Sequence, residues 1–197
     1  MAENIHPIFD TILSTEKKEE LLEQTSIVIW MVGLSGSGKS TLARALENEL
    51  YQQGFLTALL DGDNLRSGIN NNLSFSNEDR IENIRRAAEA SKLFAMNGVI
   101  TICSLISPTK QIRAMARSII GEKYCEVFID CPLEVCESRD VKGLYAKARK
   151  GEIPEFTGIS SPFEKPTDAD INIDTANQDL ESSLKELINK ISKKIRR

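Results

Sequence analysis

No run of this chain approaches the about 20 consecutive apolar residues that a bilayer-spanning helix needs, so no membrane segment is expected. The first residues, Met-Ala-Glu-Asn-Ile-His, have neither the basic start nor the apolar block of a secretory signal. A soluble, cytoplasmic protein is the expectation. An excess of basic charge is also lacking, with 25 Lys and Arg against 29 Asp and Glu and a formal charge of −4. A domain that wraps a nucleic-acid backbone needs a net basic face, so nucleic acid is not an expected partner. Any anionic partner must be a small ligand held by locally placed cations. The four cysteines, Cys103, Cys125, Cys131 and Cys136, include no C-x-x-C pair. Reduced, mostly buried thiols are therefore expected instead of a zinc site or a disulfide framework. No internal repeat is present, and Asn70-Asn71-Asn72 is too short for low complexity and reads as a loop.

What is there suffices for one domain with a full core: 197 residues, 41% of them hydrophobic and 27% charged. Five short apolar runs rich in branched or aromatic residues stand out, at 26–32, 55–60, 99–105, 125–129 and 169–173. Longer segments with helical spacing separate them. Leu42, Ala45, Leu46 and Leu50 form one stripe, stopped by Gly54. Ile81, Ile84, Ala88, Ser91 and Ala95 form a weaker one, opened by a capping box at Ser76–Asp79 and ended by Asn97-Gly98. Near-continuous apolar strands alternating with helices predict an α/β fold, a five-stranded parallel sheet with helices on both faces. Ligands in such sheets sit beyond the carboxyl ends of the strands. Residues 1–25 read as an N-terminal extension, with a charged surface helix over 14–24, and residues 26–197 as the main domain. Within it, 139–166 carries three Gly, three Pro and many charges. It is expected to be a mobile lid, short of the apolar residues a core of its own would need.

The strongest signal is Gly33-Leu34-Ser35-Gly36-Ser37-Gly38-Lys39-Ser40-Thr41, a complete G-x-x-x-x-G-K-S that follows a strand and opens an amphipathic helix. The bare pattern arises by chance in a chain of this length about one time in a hundred, and its context makes chance rarer still. The glycines let backbone N–H groups turn around phosphate oxygens, and the helix N-terminus adds positive partial charge. Lys39 reaches the outer phosphates, and Ser40 offers a hydroxyl to Mg²⁺. This predicts a P-loop NTPase fold. A guanine-reading Asn-Lys-x-Asp is missing, because Asn189-Lys190 runs on into Ile-Ser. ATP is the expected nucleotide.

The second strand ends in Asp61-Gly62-Asp63-Asn64-Leu65-Arg66. If the chain stays extended there, Asp61 and Asp63 point to the same side. A carboxylate at that place can bind Mg²⁺ or accept the proton of an attacking hydroxyl; the alternative is a polar turn. Arg80 and Asn83 share one helix face, followed by Arg85 and Arg86, although solvation alone explains most helix arginines. Ser104-Leu105-Ile106-Ser107-Pro108 follows the third strand, again at the ligand edge.

Together these pieces resemble the adenylyl-sulfate kinase family of P-loop kinases. The matching stretches are GLSGSGKST, DGDNLR, FSNEDRIENIRRAAEASKLF, ISP, and RDVKGLYAKARKGEI followed by FTGI, in family order from Gly33 to Ile159. The resemblance implies transfer of the ATP γ-phosphoryl group to the 3′-hydroxyl of adenylyl sulfate, giving 3′-phosphoadenylyl sulfate and ADP in sulfate activation. It further implies Mg²⁺ and a homodimer, and admits an ATP sulfurylase as partner. Position by position, it assigns Asp63, Asn64, Leu65, Arg66, Phe75 and Arg80 to the sulfonucleotide. Asn83, Ile106, Ser107, Lys142 and Phe156 join them. The chemistry is compatible: Phe75 and Phe156 offer stacking faces, although core packing is the commoner use of a phenylalanine, and Arg66, Arg80 and Lys142 meet the anionic charge. Family descriptions give the serine matching Ser107 a phosphorylated intermediate. In-line transfer needs positioning and charge neutralisation more than a covalent relay, so chemistry makes Ser107 a substrate contact. Lys39, Asp61, Asp63 and Ser107 are the catalytic candidates, with Asp63 taking the hydroxyl proton and Ser40 and Asp61 nearer the metal. Departures from the family pattern fall at Thr109-Lys110, Ala146, residues 158–163 and the segment before Ser26. They touch the lid and the dimer surface, not the reacting groups. The competing readings are another small-molecule P-loop kinase, for a sugar, shikimate or a nucleoside monophosphate, and a nucleotide-binding module without turnover.

Overall fold

The computed structural model describes residues 4–196. Five strands, β1 (Val28–Val32), β2 (Thr57–Asp61), β3 (Ile100–Ser104), β4 (Tyr124–Asp130) and β5 (Ile171–Asp174), form one parallel sheet in the order β2-β3-β1-β4-β5. Every residue of β1 is sealed from solvent, because it runs between two parallel neighbours and is covered on both faces. Its side chains alternate. Ile29 and Met31 join a cluster with Leu42, Leu46 and Leu50 of α2 (Lys39–Gln52) and Leu187 and Ile191 of α8 (Leu180–Ile195). Val28, Trp30 and Val32 face α4 (Asn77–Met96) and α5 (Lys110–Ile120), meeting Ile84, Ala88, Ile112 and Ala116. A strand buried on both sides explains why the runs read as continuously apolar.

Four strands begin one or two residues later than their apolar runs and β4 one residue earlier, and for the first two the side chains account for it. Ser26 gives its N–H and its hydroxyl to Glu19 Oε1, both at 2.7 Å. Gln24 acts as a surrogate strand for Leu56, donating to its carbonyl at 3.0 Å and accepting its N–H at 2.8 Å. The N-terminal helix α1 (Thr15–Leu21) is thus not purely a surface helix: Glu19 is buried and also accepts from Lys123 Nζ at 2.6 Å. The weak stripe of α4 is buried at Ile84, Ala88, Ser91 and Ala95 as expected, and it is wider at its N-terminal end. Ile81 is 40% exposed, whereas Asn83 and Ala87 are buried. Ser76 caps α4 through the Asp79 N–H, but Asp79 returns its carboxylate to Ser74 and not to Ser76, so the reciprocal half of the box is shifted by two residues. All four cysteines are free and buried. Burial pushes the Cys103 and Cys136 thiols up to about 12 and Cys125 to about 11, which keeps them protonated and unreactive.

The segment expected to be a lid has no core wholly its own, but it shares one. Segment 139–166 contains a helix, α7 (Leu144–Arg149), and it does build a core, by pooling residues. Tyr145, Ala148 and Phe156 are buried together with Leu34 of the glycine loop and with Cys131 and Cys136. Cys136 belongs to α6 (Leu133–Arg139). A count of apolar residues within the segment misses a core whose other half comes from outside it.

Burial acts to raise the Glu19 carboxyl, but the hydrogen bonds from Lys123 and Ser26 outweigh it and hold the group below its ordinary range. Its contribution to stability is therefore present above the unfolded-state value and is lost as pH falls through the folded one. Glu19→Gln is expected to cost about 2 kcal/mol at neutral pH, a fall of about 4–8 °C in melting temperature. The gap to the parent begins to narrow below about pH 4 and closes as pH falls through the lowered folded value. Thermal melts at pH 7 and pH 3.5 check both parts.

Candidate active site

The glycine loop leaves β1 at Gly33 and enters α2 at Lys39. Gly38 caps that helix with φ +96° and no side-chain hydrogen bond, so the first N–H groups of α2 are not spent on a capping side chain. Gly36, at φ +73°, lies where a Cβ would stand 2.9 Å from the Cys136 carbonyl oxygen. A side chain there would collide with backbone as well as strain the turn. Lys39 is buried, and its ammonium donates to the Gly33 and Leu34 carbonyls at 2.9 and 2.7 Å. Burial pushes Lys39 down to about 8, against the opposing pull of Cys136 and Asp61.

Braces hold the loop from behind. Tyr145 donates its hydroxyl to the Ser35 carbonyl at 2.9 Å, and Thr175 donates to the Ser37 carbonyl at 2.7 Å. Arg139 in turn donates to the Thr175 carbonyl at 2.5 Å. The Leu34 side chain is committed to the lid core, and Thr41 is exposed in the first turn of α2. Arg139, Tyr145 and Thr175 were not among the predicted site residues. Thr175 carried one usable signal, since it directly follows the fifth strand at the ligand edge.

Beside the loop, Ser40 Oγ donates to Asp61 Oδ2 at 2.7 Å and lies 3.1 Å from Ser104 Oγ. Asp61 and Asp63 do not share an extended strand. Helix α3 (Gly62–Ser67) starts at once, because Asp61 Oδ1 accepts the Asp63 N–H at 3.0 Å and caps it. Asp61 thereby faces Ser40, while Asp63, in the first helical turn, is exposed and pairs with Lys142 of the lid. Asn64 is exposed and Leu65 is buried in the core.

The remaining predicted residues divide. Phe75 is 61% exposed with the Arg66 guanidinium 4.3 Å from its ring centroid, and so is not a core residue. Phe156 is one, packed edge-on against Tyr145 at 5.0 Å. Arg66 also donates to the Ser74 carbonyl at 2.7 Å. Arg80 ties α4 to the lid, donating to Thr157 Oγ1 at 2.8 Å and the Glu155 carbonyl at 2.6 Å. Asn83 is buried, and its Oδ1 accepts from Asn70 Nδ2 at 3.0 Å, so its own amide nitrogen is aimed away from Asn70. Arg85 is a solvated partner of Glu82, and Arg86 joins Glu82 to the Ile69 carbonyl and to Asn72. The Ile106 carbonyl accepts from Gly33 N–H at 3.4 Å, which sets the loop after β3 directly against the phosphate loop. Ser107 is buried, with Trp30 Nε1 donating to its Oγ at 3.0 Å.

A triphosphate cradle by itself would serve a motor or a switch. Here a second set of cations, with an exposed aromatic ring, lies across the Asp61–Asp63 corner from it, and that pairing defines a P-loop kinase. Comparison with known proteins narrows the class. The adenylylsulphate kinase family profile matches residues 25–174, and the chain belongs to that family, a group of ATP-dependent phosphotransferases. It is 59% identical over 193 residues to an adenylyl-sulfate kinase of Bacteroides thetaiotaomicron, a match spanning 98% of this chain and 96% of that one. Its fold is similar to the Mycobacterium tuberculosis APS kinase in complex with AMPPNP and APS, with TM-score 0.82 and 43% identity, covering 85% and 98% of the two chains. A hexameric APS kinase from Thiobacillus denitrificans matches at TM-score 0.67 and 27% identity, covering 87% of this chain and 30% of that one.

The depressed Lys39 value has a measurable consequence. A bound triphosphate restores the ammonium form, so above about pH 8 nucleotide binding must take up a proton, and ATP affinity falls as pH rises. Calorimetry at pH 9 in buffers of different ionisation enthalpy is expected to show close to one proton taken up per nucleotide, and Lys39→Met is expected to show none.

Proposed function

We propose that this chain transfers the γ-phosphoryl group of ATP directly to the 3′-hydroxyl of adenylyl sulfate, yielding 3′-phosphoadenylyl sulfate and ADP. The observation that carries the reading is the contact chain Ser40–Asp61–Asp63–Lys142, which joins the phosphate loop to the lid through one corner. A donor phosphate seated on the α2 N-terminus and an acceptor held under the lid meet at that corner.

In this reading the N–H groups of residues 33–41 and Lys39 hold the triphosphate and balance charge as the phosphoryl group moves. Ser40 and Asp61 supply a hydroxyl and a carboxylate oxygen 2.7 Å apart, hard oxygen donors of the kind Mg²⁺ takes alongside substrate phosphates. They are the residues that would hold the ion, whose chemistry there is neutralisation of the β- and γ-oxygens. Asp63 accepts or orients the proton of the 3′-hydroxyl, and its exposure leaves it reachable. Phe75 stacks on the base. Arg66, Arg80 and Lys142 answer the phosphosulfate charge, with Asn83 and residues 106–107 completing the acceptor pocket. Phe156 acts from beneath, as lid core. The burial of Ser107 and the indole hydrogen bond on its Oγ support direct transfer over a relay through that serine. The lid closes over both ligands and excludes water as a competing acceptor. A homodimer and an ATP sulfurylase partner belong to this reading through the family resemblance. The free, buried thiols fit a cytoplasmic setting, and among the described residues no helix is long and apolar enough to cross a membrane.

Incubation with MgATP and adenylyl sulfate is expected to give 3′-phosphoadenylyl sulfate and ADP in equal amounts. Phosphorylation of adenylate, shikimate or a sugar in its place, or nucleotide binding with no turnover, would overturn the assignment. Asp63→Asn is expected to lower kcat by about 10²- to 10⁴-fold with little change in the KM for ATP. Turnover at the parent rate would remove Asp63 from the chemistry.

A further inference from the structure

Behind the acceptor side of the site lies a buried ion pair that the reaction scheme does not use. Arg113 of α5 and Glu126 of β4 are both almost wholly enclosed, with side chains 7% and 6% exposed and Nε 3.5 Å from Oε1. Enclosing two charges is costly, and an apolar pair of similar volume would often be no less stable. Stability alone is thus a weak account of why the pair is here, and its contacts supply a better one.

Arg113 Nη1 donates to the Ser107 carbonyl at 3.2 Å. Ser107 has φ +47°, a left-handed conformation that costs a residue with a Cβ and persists only where its surroundings impose it. Trp30 imposes it from the other side, through its indole N–H on Ser107 Oγ. Trp30 and Glu126 are register partners on β1 and β4, so the two holds on Ser107 are anchored side by side on one face of the sheet. Glu126 is itself fixed by the Tyr124 hydroxyl at 2.9 Å.

The three carbonyls of residues 106–108 are all spent on the protein. Ile106 accepts from Gly33, Ser107 from Arg113 and Pro108 from Glu164. Among the described residues, no group accepts from the N–H of Ile106 or Ser107. Successive amide donors in a tight turn make a concavity suited to an anion.

We propose that Arg113 and Glu126 are positioning residues, whose buried pair holds the Ser107 turn so that the 106–108 loop presents its unspent amide donors to the anionic acceptor. This deepens the proposed function, since it rests on that loop belonging to the acceptor site. Turnover of adenylyl sulfate by the parent protein tests that prior reading separately.

The test compares full-length Arg113→Lys, Glu126→Gln and the double Arg113→Met/Glu126→Leu variant by steady-state kinetics, thermal melting and emission of the single tryptophan, Trp30. Both single variants are expected to raise the KM for adenylyl sulfate by about 10- to 100-fold while the KM for ATP stays within about two-fold. Trp30 emission should shift as its Ser107 contact loosens. The apolar double variant should recover melting temperature but keep the kinetic defect. Should the single variants fail to fold, Trp30→Phe removes the other hold on Ser107 and is expected to give the same split between the two KM values. An adenylyl-sulfate KM that is unchanged, or that follows melting temperature and is repaired in the double variant, would reduce the pair to a structural element and overturn the proposal.

Discussion

The enclosure of β1 is the constraint from which the rest follows. Held between β3 and β4 and covered by α2 and α8 on one face and α4 and α5 on the other, it cannot shift without opening both halves of the core. Gly33 therefore begins its turn at a fixed point, and α2 starts at a fixed distance beyond. The phosphate cradle needs several backbone N–H groups to converge without side-chain help. A turn anchored between a sealed strand and a packed helix provides that convergence. Because every strand is parallel, the carboxyl ends of β2, β3, β4 and β5 and the residues after them lie at the same edge, and each sends a residue to the cradle or its rim. Asp61, Ile106, Cys131 and Thr175 all arrive this way.

The lid is coupled to that anchor by three different kinds of contact. Apolar packing joins Tyr145 and Phe156 to Leu34. A hydroxyl links Tyr145 to the Ser35 carbonyl. Charged groups connect Lys142 to Asp63 and Arg80 to Thr157 and Glu155. The apolar and hydroxyl contacts lie beside the phosphate loop, and the charged ones lie against Asp63 and α4. An exposed ion pair such as Lys142–Asp63 is individually weak and exchanges readily with solvent, whereas a packed core does not. The segment thus has a firm root beside the phosphate loop and a weaker tie at Asp63.

How far the site was legible in the chain can be judged residue by residue. The placement of Lys39 and Ser40 at the start of α2 is readable because a contiguous motif dictates the backbone geometry there. Phe75, which the resemblance assigns to the sulfonucleotide, is an exposed ring. Asp61 and Asp63 were recognised, but their arrangement was not, since the capping of α3 by Asp61 turns the chain where extension was assumed. Phe156, matched to the same site as Phe75, is buried against Tyr145 in the lid core. Asn70 was passed over as a polar loop residue, although it is buried and orients Asn83. Its neighbours Asn71 and Asn72 are exposed, and nothing local distinguishes the three.

The order of strands and helices, the phosphate loop and the nucleotide class follow from the sequence by itself, because each rests on local periodicity or on residues adjacent in the chain. Tertiary structure alone decided what depends on partners far apart. The pooled core of the lid draws on Leu34 and Tyr145, and Glu19 is enclosed by Ser26 and Lys123. The hold on Ser107 comes from Trp30, Arg113 and Glu126, which lie on three different elements. A side chain's role is set by what encloses it. No window of sequence contains neighbours that only the parallel register of the sheet brings together.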